Sequence, residues 1–159
     1  MSVNKNVLLV CSPYYQQITD NLVKGAIKVL KSKSVNYKFL YVPGALEIAP
    51  AIKLIYEKSK NNPFIDGYIA LGCVIRGETY HFEIVSNESA RALCDLSIRF
   101  SIPIGNGILT VENEKQALER SDPKKLNKGA GAAEACLSLM NIKNSDKYDK
   151  SWNKIIKKY

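Results

Sequence analysis

The chain has 159 residues, a mass of 17.7 kDa and a formal net charge of +8, with 46% hydrophobic and 24% charged residues. These values predict one soluble globular domain covering residues 1–159. No apolar run approaches the roughly 20 residues that cross a bilayer, and no signal pattern is present, so we expect a cytoplasmic protein. Residues 143–159 form a lysine-rich tail that is predicted to be helical. Since no RNA- or DNA-reading motif accompanies this charge, it does not indicate a nucleic-acid-binding protein.

Four short apolar runs alternate with helical patterns along the chain. Apolar residues recur at helical spacing after each run, and the last helix begins near Lys128 with closely spaced glycines and alanines that would permit close packing. The alternation predicts an α/β three-layer sandwich with a four-stranded parallel sheet and flavodoxin-like topology. The predicted strands are Val7–Cys11, Tyr37–Val42, Tyr68–Ile75 and Ile102–Leu109.

The four cysteines are widely separated, and each lies in an apolar setting: Cys11, Cys73, Cys94 and Cys136. Their spacing predicts neither a zinc site nor a disulfide framework. We expect four reduced thiols in the core. A catalytic cysteine is the less favoured alternative, because no base lies near any of them in the sequence.

The third predicted strand and the turn after it are the most informative segment. Ile69–Ile75 is a continuous apolar run, typical of a parallel strand buried on both faces, and Arg76–Thr79 is a tight polar turn before a helix near Tyr80. Ligands of open α/β sheets bind beyond the carboxyl ends of strands, and free N–H groups at a helix start favour anions. His81, the single histidine of the sequence, lies at the same place. The segment predicts a phosphate-type pocket beside an acid–base group.

The other strand ends carry unusual residues as well. Tyr14 and Tyr15 follow the first strand, Glu47 follows the second, and Asn106 falls in the fourth. Each has a structural explanation: the tyrosines could fill the core, Glu47 could complement a helix dipole, and a lone histidine on a helix is more often structural. Together they predict a site with an aromatic platform, a carboxylate, an anion cradle and an acid–base group.

Four segments resemble, in order and spacing, the signature blocks of the lumazine synthase family: Val42–Ile48, Leu71–Phe82, Gly107–Asn113 and Asn127–Gly129. The resemblance implies a transferase of riboflavin biosynthesis with two small-molecule substrates. It would condense 5-amino-6-(ribitylamino)uracil with 3,4-dihydroxy-2-butanone 4-phosphate, giving 6,7-dimethyl-8-ribityllumazine, phosphate and water. No cofactor and no metal are implied.

The resemblance also implies residues that bind the ribitylaminouracil. Tyr14 would stack on the pyrimidine, and the Glu47 carboxylate would accept hydrogen bonds from ribityl hydroxyls. The other matched positions are Ala45 and Leu46 beside the ribityl chain, and Cys73, Val74 and Ile75 along the pyrimidine.

A second group of matched residues concerns the phosphate and the proton transfer. Gly77, Glu78 and Thr79 match a cradle of main-chain N–H groups with the threonine hydroxyl. His81 matches the catalytic proton-transfer residue. Arg120 matches an arginine that reaches the phosphate from the adjacent subunit, a task that suits a planar guanidinium.

Two positions depart from the family pattern. Asn106 stands where many members have phenylalanine, and its amide could bond the uracil ring. Gly131 stands where many members carry an acidic residue near the histidine, with Glu134 one turn later as an alternative partner. Lys128 matches a nearby basic position. These departures concern the orientation of His81 and leave the predicted reaction unchanged.

If Arg120 serves a neighbour's pocket, the protein is a homo-oligomer with shared active sites. The resemblance implies a cyclic pentamer, with a decamer and a sixty-subunit shell as larger alternatives. The sequence begins almost directly at its first strand, without the N-terminal strand that adds to a neighbour's sheet in several shell-forming members. We therefore expect a pentamer.

The sequence leaves two alternatives to the synthase. The first is a non-catalytic relative that binds flavin or lumazine, or serves as a scaffold. The second is a flavodoxin-like nucleotide-binding or signalling module, which would need a phosphate loop after the first strand. Ser12–Gln17 contains no glycine, so the second alternative is disfavoured.

Overall fold

The computed structural model describes residues 5–61 and 63–145, so the predicted tail helix lies outside the described residues from residue 146 onward. The described chain alternates strands and helices. The strands are β1 (Asn6–Cys11), β2 (Asn36–Tyr41), β3 (Gly67–Ile75) and β4 (Ile104–Val111). The helices are α1 (Gln16–Ser32), α2 (Ile48–Ser59), α3 (His81–Phe100), α4 (Glu114–Ser121) and α5 (Lys128–Lys143), with single 3-10 turns at Pro13–Tyr15 and Ala45–Glu47.

The four strands form one parallel sheet in the order β2-β1-β3-β4. One face packs against α1, α4 and α5 through residues such as Leu22 and Ala133, and the other packs against α2 and α3 through Ile52 and Leu93. The predicted α/β sandwich with a parallel, flavodoxin-like sheet is confirmed. Because the strands are parallel, all their carboxyl ends lie at the same edge of the sheet.

The element boundaries differ from the prediction by a few residues. β4 begins at Ile104 and extends to Val111, two residues later than predicted at each end. The two predicted residues that the strand lacks are Ile102 and Pro103, and Pro103 has no N–H to donate to a ladder. At the other end, Val111 is held by pairing with Ile75. The helix after β3 begins at His81, directly after the turn.

The glycines and alanines at the start of α5 permit the close packing expected from the sequence. A Cβ added at Gly129 would lie 2.0 Å from the carbonyl oxygen of Leu22 on α1. On the sheet side, a Cβ at Gly105 would lie 1.9 Å from the carbonyl oxygen of Ala132. Backbone therefore meets backbone at both contacts, and this close approach occurs within one subunit.

The cysteines are all free thiols, but the expectation that each lies in the core is wrong for one of them. Cys11, Cys73 and Cys136 are buried, whereas Cys94 is exposed. Cys94 follows the buried Leu93 on α3, so the helical rotation of about 100° per residue turns it away from the sheet.

Candidate functional site

An open cleft of about 490 Å³ lies at the carboxyl edge of the sheet. It is formed by the segments that follow β1 and β2, the end of β3, and the turn and first residues of α3. The predicted site residues that line it are Tyr14, Ala45, Leu46, Glu47, Cys73, Val74, Ile75, Gly77, Thr79 and His81. Tyr15, Gly44, Phe82 and Val85 complete the lining.

The two tyrosines after β1 have different environments. Tyr14 is 74% exposed, and its ring meets the half-buried Tyr15 ring edge to face with centroids 5.1 Å apart. Burial raises the pKa of Tyr15, with smaller contributions from Tyr14, Cys73 and Glu114, so its phenol stays protonated at neutral pH. Tyr15 packs against the core and anchors the loop. Tyr14 leaves a ring face open for stacking.

Glu47 lies directly before α2 and lines the cleft. Its backbone N–H donates to the Gly44 carbonyl at 3.3 Å. The carboxylate passes over Gly44, where an added Cβ would lie 2.8 Å from Oε2. The side chain is exposed, and no residue of the described chain pairs with it. The carboxylate is therefore available to accept hydrogen bonds from a ligand.

The last residues of β3 form the floor of the cleft. Cys73 is 5% exposed, and burial raises the pKa of its thiol to about 12. A neutral, buried thiol is a poor nucleophile, which argues against the catalytic-cysteine alternative at this position. Val74 and Ile75 are half-buried and paired with Thr110 and Val111 of β4, so this floor is held rigidly by the sheet.

The turn between β3 and α3 presents unpaired backbone donors. In the described chain, the N–H groups of Gly77, Glu78, Thr79 and His81 have no hydrogen-bond acceptor. Nothing lies within 4 Å of a Cβ added at Gly77, so the space beside this backbone is open. The arrangement is suited to an anion, because free N–H groups and the helix dipole both favour negative charge. The exposed Glu78 side chain does not line the cleft.

His81 is the first residue of α3 and lines the cleft with an exposed side chain. Within the described residues its imidazole has no hydrogen-bond partner, so both ring nitrogens are open to a ligand. Glu134, the alternative carboxylate partner, lies on α5 on the opposite face of the sheet from α3. It does not orient His81 within one chain.

Three other predicted site residues lie away from this cleft. Asn106 is exposed on β4, where its Oδ1 accepts a hydrogen bond from the Ile108 N–H at 2.9 Å. Arg120 is half-buried in the last turn of α4, and its Nη1 donates to the Gln116 carbonyl at 3.2 Å. Lys128 is the exposed first residue of α5. A single chain does not bring these residues to its own cleft.

Arg76 forms a cluster with two carboxylates and an aromatic ring that the sequence did not indicate. Its Nε donates to Glu112 Oε2 at 2.6 Å, its Nη1 pairs with Glu83, and its Cζ lies 4.2 Å from the centre of the Phe82 ring. The hydrogen bond from Arg76 lowers the pKa of Glu83. Glu112 is 36 positions from Arg76, so no local pattern in the sequence could have indicated this cluster.

The described residues contain no helix long and apolar enough to cross a membrane. In the same part of the chain, no three histidine, cysteine or acidic side chains are grouped so that they could hold a metal ion.

The fold and the cleft define an α/β protein whose cleft, at the carboxyl edge of a parallel sheet, is suited to a small anionic ligand. The sequence profile described as 6,7-dimethyl-8-ribityllumazine synthase matches residues 4–144. The chain belongs to this family.

Curated relatives agree with this assignment. A 6,7-dimethyl-8-ribityllumazine synthase from Bartonella bacilliformis is 52% identical over 143 residues, which cover 90% of this chain and 93% of that protein. A protein of the same name from Bartonella tribocorum is 51% identical over 143 residues, with the same coverage. One from Methylorubrum populi is 50% identical over 141 residues, covering 87% of this chain and 83% of that protein.

Proposed function

We propose that this protein is a transferase of riboflavin biosynthesis that acts in the cytoplasm. It condenses 5-amino-6-(ribitylamino)uracil with 3,4-dihydroxy-2-butanone 4-phosphate to give 6,7-dimethyl-8-ribityllumazine, phosphate and water. The observation that carries the proposal is the one cleft lined by Tyr14, Glu47, Gly77, Thr79 and His81, in a member of this family. Its four free cysteines fit a reducing compartment.

The ribitylaminouracil occupies the half of the cleft next to β1 and β2. The exposed ring of Tyr14 stacks on the pyrimidine, and the buried end of β3, from Cys73 to Ile75, contacts its edge. The ribityl chain runs past Ala45 and Leu46 to Glu47, whose unpaired carboxylate accepts hydrogen bonds from its hydroxyls.

The butanone phosphate occupies the half next to α3. Its phosphate accepts hydrogen bonds from the free N–H groups of Gly77, Glu78 and Thr79 and from the Thr79 hydroxyl. The reacting carbonyl then lies between the two halves of the cleft, next to the His81 imidazole. Holding the two substrates side by side supplies a large part of the rate, because a bimolecular reaction becomes effectively intramolecular.

The reaction itself is a series of proton transfers and eliminations. The 5-amino group of the uracil attacks the ketone, and loss of one water gives an imine. Removal of a proton and departure of the phosphate follow, and the ribitylamino nitrogen closes the ring with loss of a second water. His81 accepts and returns protons in these steps, a contribution that is typically worth 10²- to 10⁴-fold in rate.

We also propose that Arg120, Lys128 and Asn106 act in the cleft of an adjacent subunit within a homopentamer. The support is that none of the three lines its own chain's cleft, and that the half-buried Arg120 guanidinium retains free donors. Large apolar residues at the surface fit contacts with neighbouring subunits: Leu54 on α2 is 64% exposed and Ile98 on α3 is 80% exposed.

Mixing both substrates with the purified protein tests the activity. The expected result is absorbance growth from the lumazine with release of one phosphate per product. Tight flavin or lumazine binding without turnover would instead identify a non-catalytic relative. Light scattering tests the assembly, with five times the chain mass expected.

A further inference from the structure

The Arg76 guanidinium joins three structural elements beside the cleft. Its backbone N–H donates to the Val111 carbonyl at 2.9 Å, which holds the residue at the end of the sheet. Its side chain reaches Glu112 after β4, Glu83 in the first turn of α3, and the face of the Phe82 ring. Arg76 therefore connects the carboxyl ends of β3 and β4 to the start of α3.

The segment that Arg76 spans has little other support. The residues from Gly77 to Tyr80 are exposed, and no side chain caps the first turn of α3. The first buried residue of that helix is Val85, one turn after His81. In the described chain, the side-chain hydrogen bonds and ion pairs that hold the segment between Ile75 and Val85 are those of Arg76.

Two of the three guanidinium nitrogens, Nε and Nη1, are engaged within the protein. Two carboxylates and an aromatic ring surround the guanidinium, so its charge is already matched by Glu83 and Glu112. Exposed ion pairs of this kind add little to folding stability. The planar guanidinium group does, however, fix the directions of the two carboxylates that it binds, which a single ammonium group does not. The two residues that it holds on α3, Phe82 and Glu83, directly follow His81.

We propose that Arg76 is a positioning residue for the lumazine-forming reaction. It holds the first turn of α3 so that the His81 imidazole and the free N–H groups of the turn face the bound butanone phosphate. It acts through Phe82, which lines the cleft, and through Glu83, and it does not touch the substrates. This inference rests on the proposed function and extends it to a residue outside the cleft.

Kinetics of three variants test the inference. Arg76→Ala should lower kcat about 10- to 100-fold, the effect of a reacting group displaced by about 1 Å. The KM for the ribitylaminouracil should change by less than about twofold, because Tyr14 and Glu47 remain, and any rise in the KM for the butanone phosphate should accompany the fall in kcat, because the N–H donors and His81 belong to the same turn. Arg76→Lys should recover little of the lost kcat, because a lysine ammonium group cannot hold both carboxylates and the Phe82 ring. Arg91→Ala is the matched control: Arg91 pairs with Glu88 and Asp95 on the outer face of α3, away from the cleft, and should behave like the unchanged protein.

A second readout does not depend on activity. Because His81 is the single histidine, its imidazole gives one set of ring signals in an NMR spectrum of the assembled protein. Arg76→Ala should shift or broaden these signals, and Arg91→Ala should leave them unchanged. If the unchanged protein makes no lumazine, the proposed function fails, whereas the NMR comparison still reports whether Arg76 places His81.

Two results would overturn the inference. One is an Arg76→Ala protein whose kcat and His81 signals match those of Arg91→Ala. The other is a raised KM for the butanone phosphate with unchanged kcat and recovery by Arg76→Lys, which would make Arg76 a direct phosphate ligand. If Arg76→Ala does not assemble, Glu83→Ala removes the α3 partner alone, and a kcat and His81 signals that match those of Arg91→Ala would then overturn the inference.

Discussion

The cleft and the Arg120 region are built in opposite ways. Within one chain, the cleft is assembled by the sheet, because the segments after β1, β2 and β3 all emerge at its carboxyl edge. Arg120, Lys128 and Asn106 lie on α4, α5 and β4 without reaching it. The contrast teaches that strand order brings Tyr14, Glu47 and His81 to one cleft within a single chain, whereas Arg120 lies outside that cleft and reaches a phosphate there only in the proposed assembly.

The largest expected effect concerns the group within the cleft. His81→Ala should lower kcat by about 10²- to 10⁴-fold, because a positioned acid–base group contributes that much. Both substrates should still bind, since stacking, the carboxylate and the N–H cradle remain. Steady-state kinetics measure this. If kcat fell by more than about a millionfold, proton transfer by His81 would not account for the loss. The large contribution expected from holding the two substrates together would then be wrong.

The next effect concerns the group outside the cleft. Arg120→Ala should raise the KM for the butanone phosphate about 10- to 100-fold, because a hydrogen bond to a charged group contributes about 1.5–3 kcal/mol. Binding of a ribitylaminouracil analogue, measured by titration, should change little. Equal weakening of both ligands would argue against a phosphate role.

Mixed oligomers address the comparison between the two regions directly. When His81→Ala and Arg120→Ala chains are refolded together in equal amounts, about a quarter of the sites should have an intact histidine and a neighbour's intact arginine if adjacent subunits share a site. Activity measured below KM should recover accordingly over either variant alone. No recovery would show that each chain uses its own Arg120.

The packing of α5, which carries Lys128, should show a smaller effect on stability. Gly129→Ala should lower stability by about 1–3 kcal/mol, because its Cβ meets the Leu22 carbonyl at 2.0 Å and backbone must shift. Gly131→Ala is the matched control. It meets nothing within 4 Å, so alanine's better helix propensity should leave the melting temperature unchanged or slightly raised. Thermal melts of the two variants measure the difference.

The smallest effect is expected at the floor of the cleft. Because burial raises the pKa of the Cys73 thiol to about 12, the thiol stays protonated from pH 6 to 9 and contributes no limb to the pH–rate profile there. Cys73→Ala should therefore keep the shape of that profile.

In thiol labelling of the folded protein, the exposed Cys94 should react while the three buried cysteines stay unmodified. For Cys73→Ala, a changed pH–rate profile would instead show that the Cys73 thiol ionises during turnover.

Sequence reasoning succeeded where local chemistry and chain order determine the outcome. The apolar run of β3 and the turn after it were predictable, because a doubly buried strand must be apolar and a turn must be polar. The exposure of Cys94 was missed, because an apolar neighbourhood in sequence does not define the buried side of a helix. The Arg76 cluster was missed because its partner Glu112 is 36 positions away and follows another strand, β4.

The sequence by itself determined the strand–helix alternation, the family, and the residue types at each strand end, since these depend on periodicity and on side-chain chemistry. The tertiary structure alone decided which of those residues share a cleft, that Glu134 lies across the sheet from His81, and that Arg76 ties the first turn of α3 to β4. The physical reason is that contacts between distant segments depend on strand order and helix packing, which no local spacing encodes.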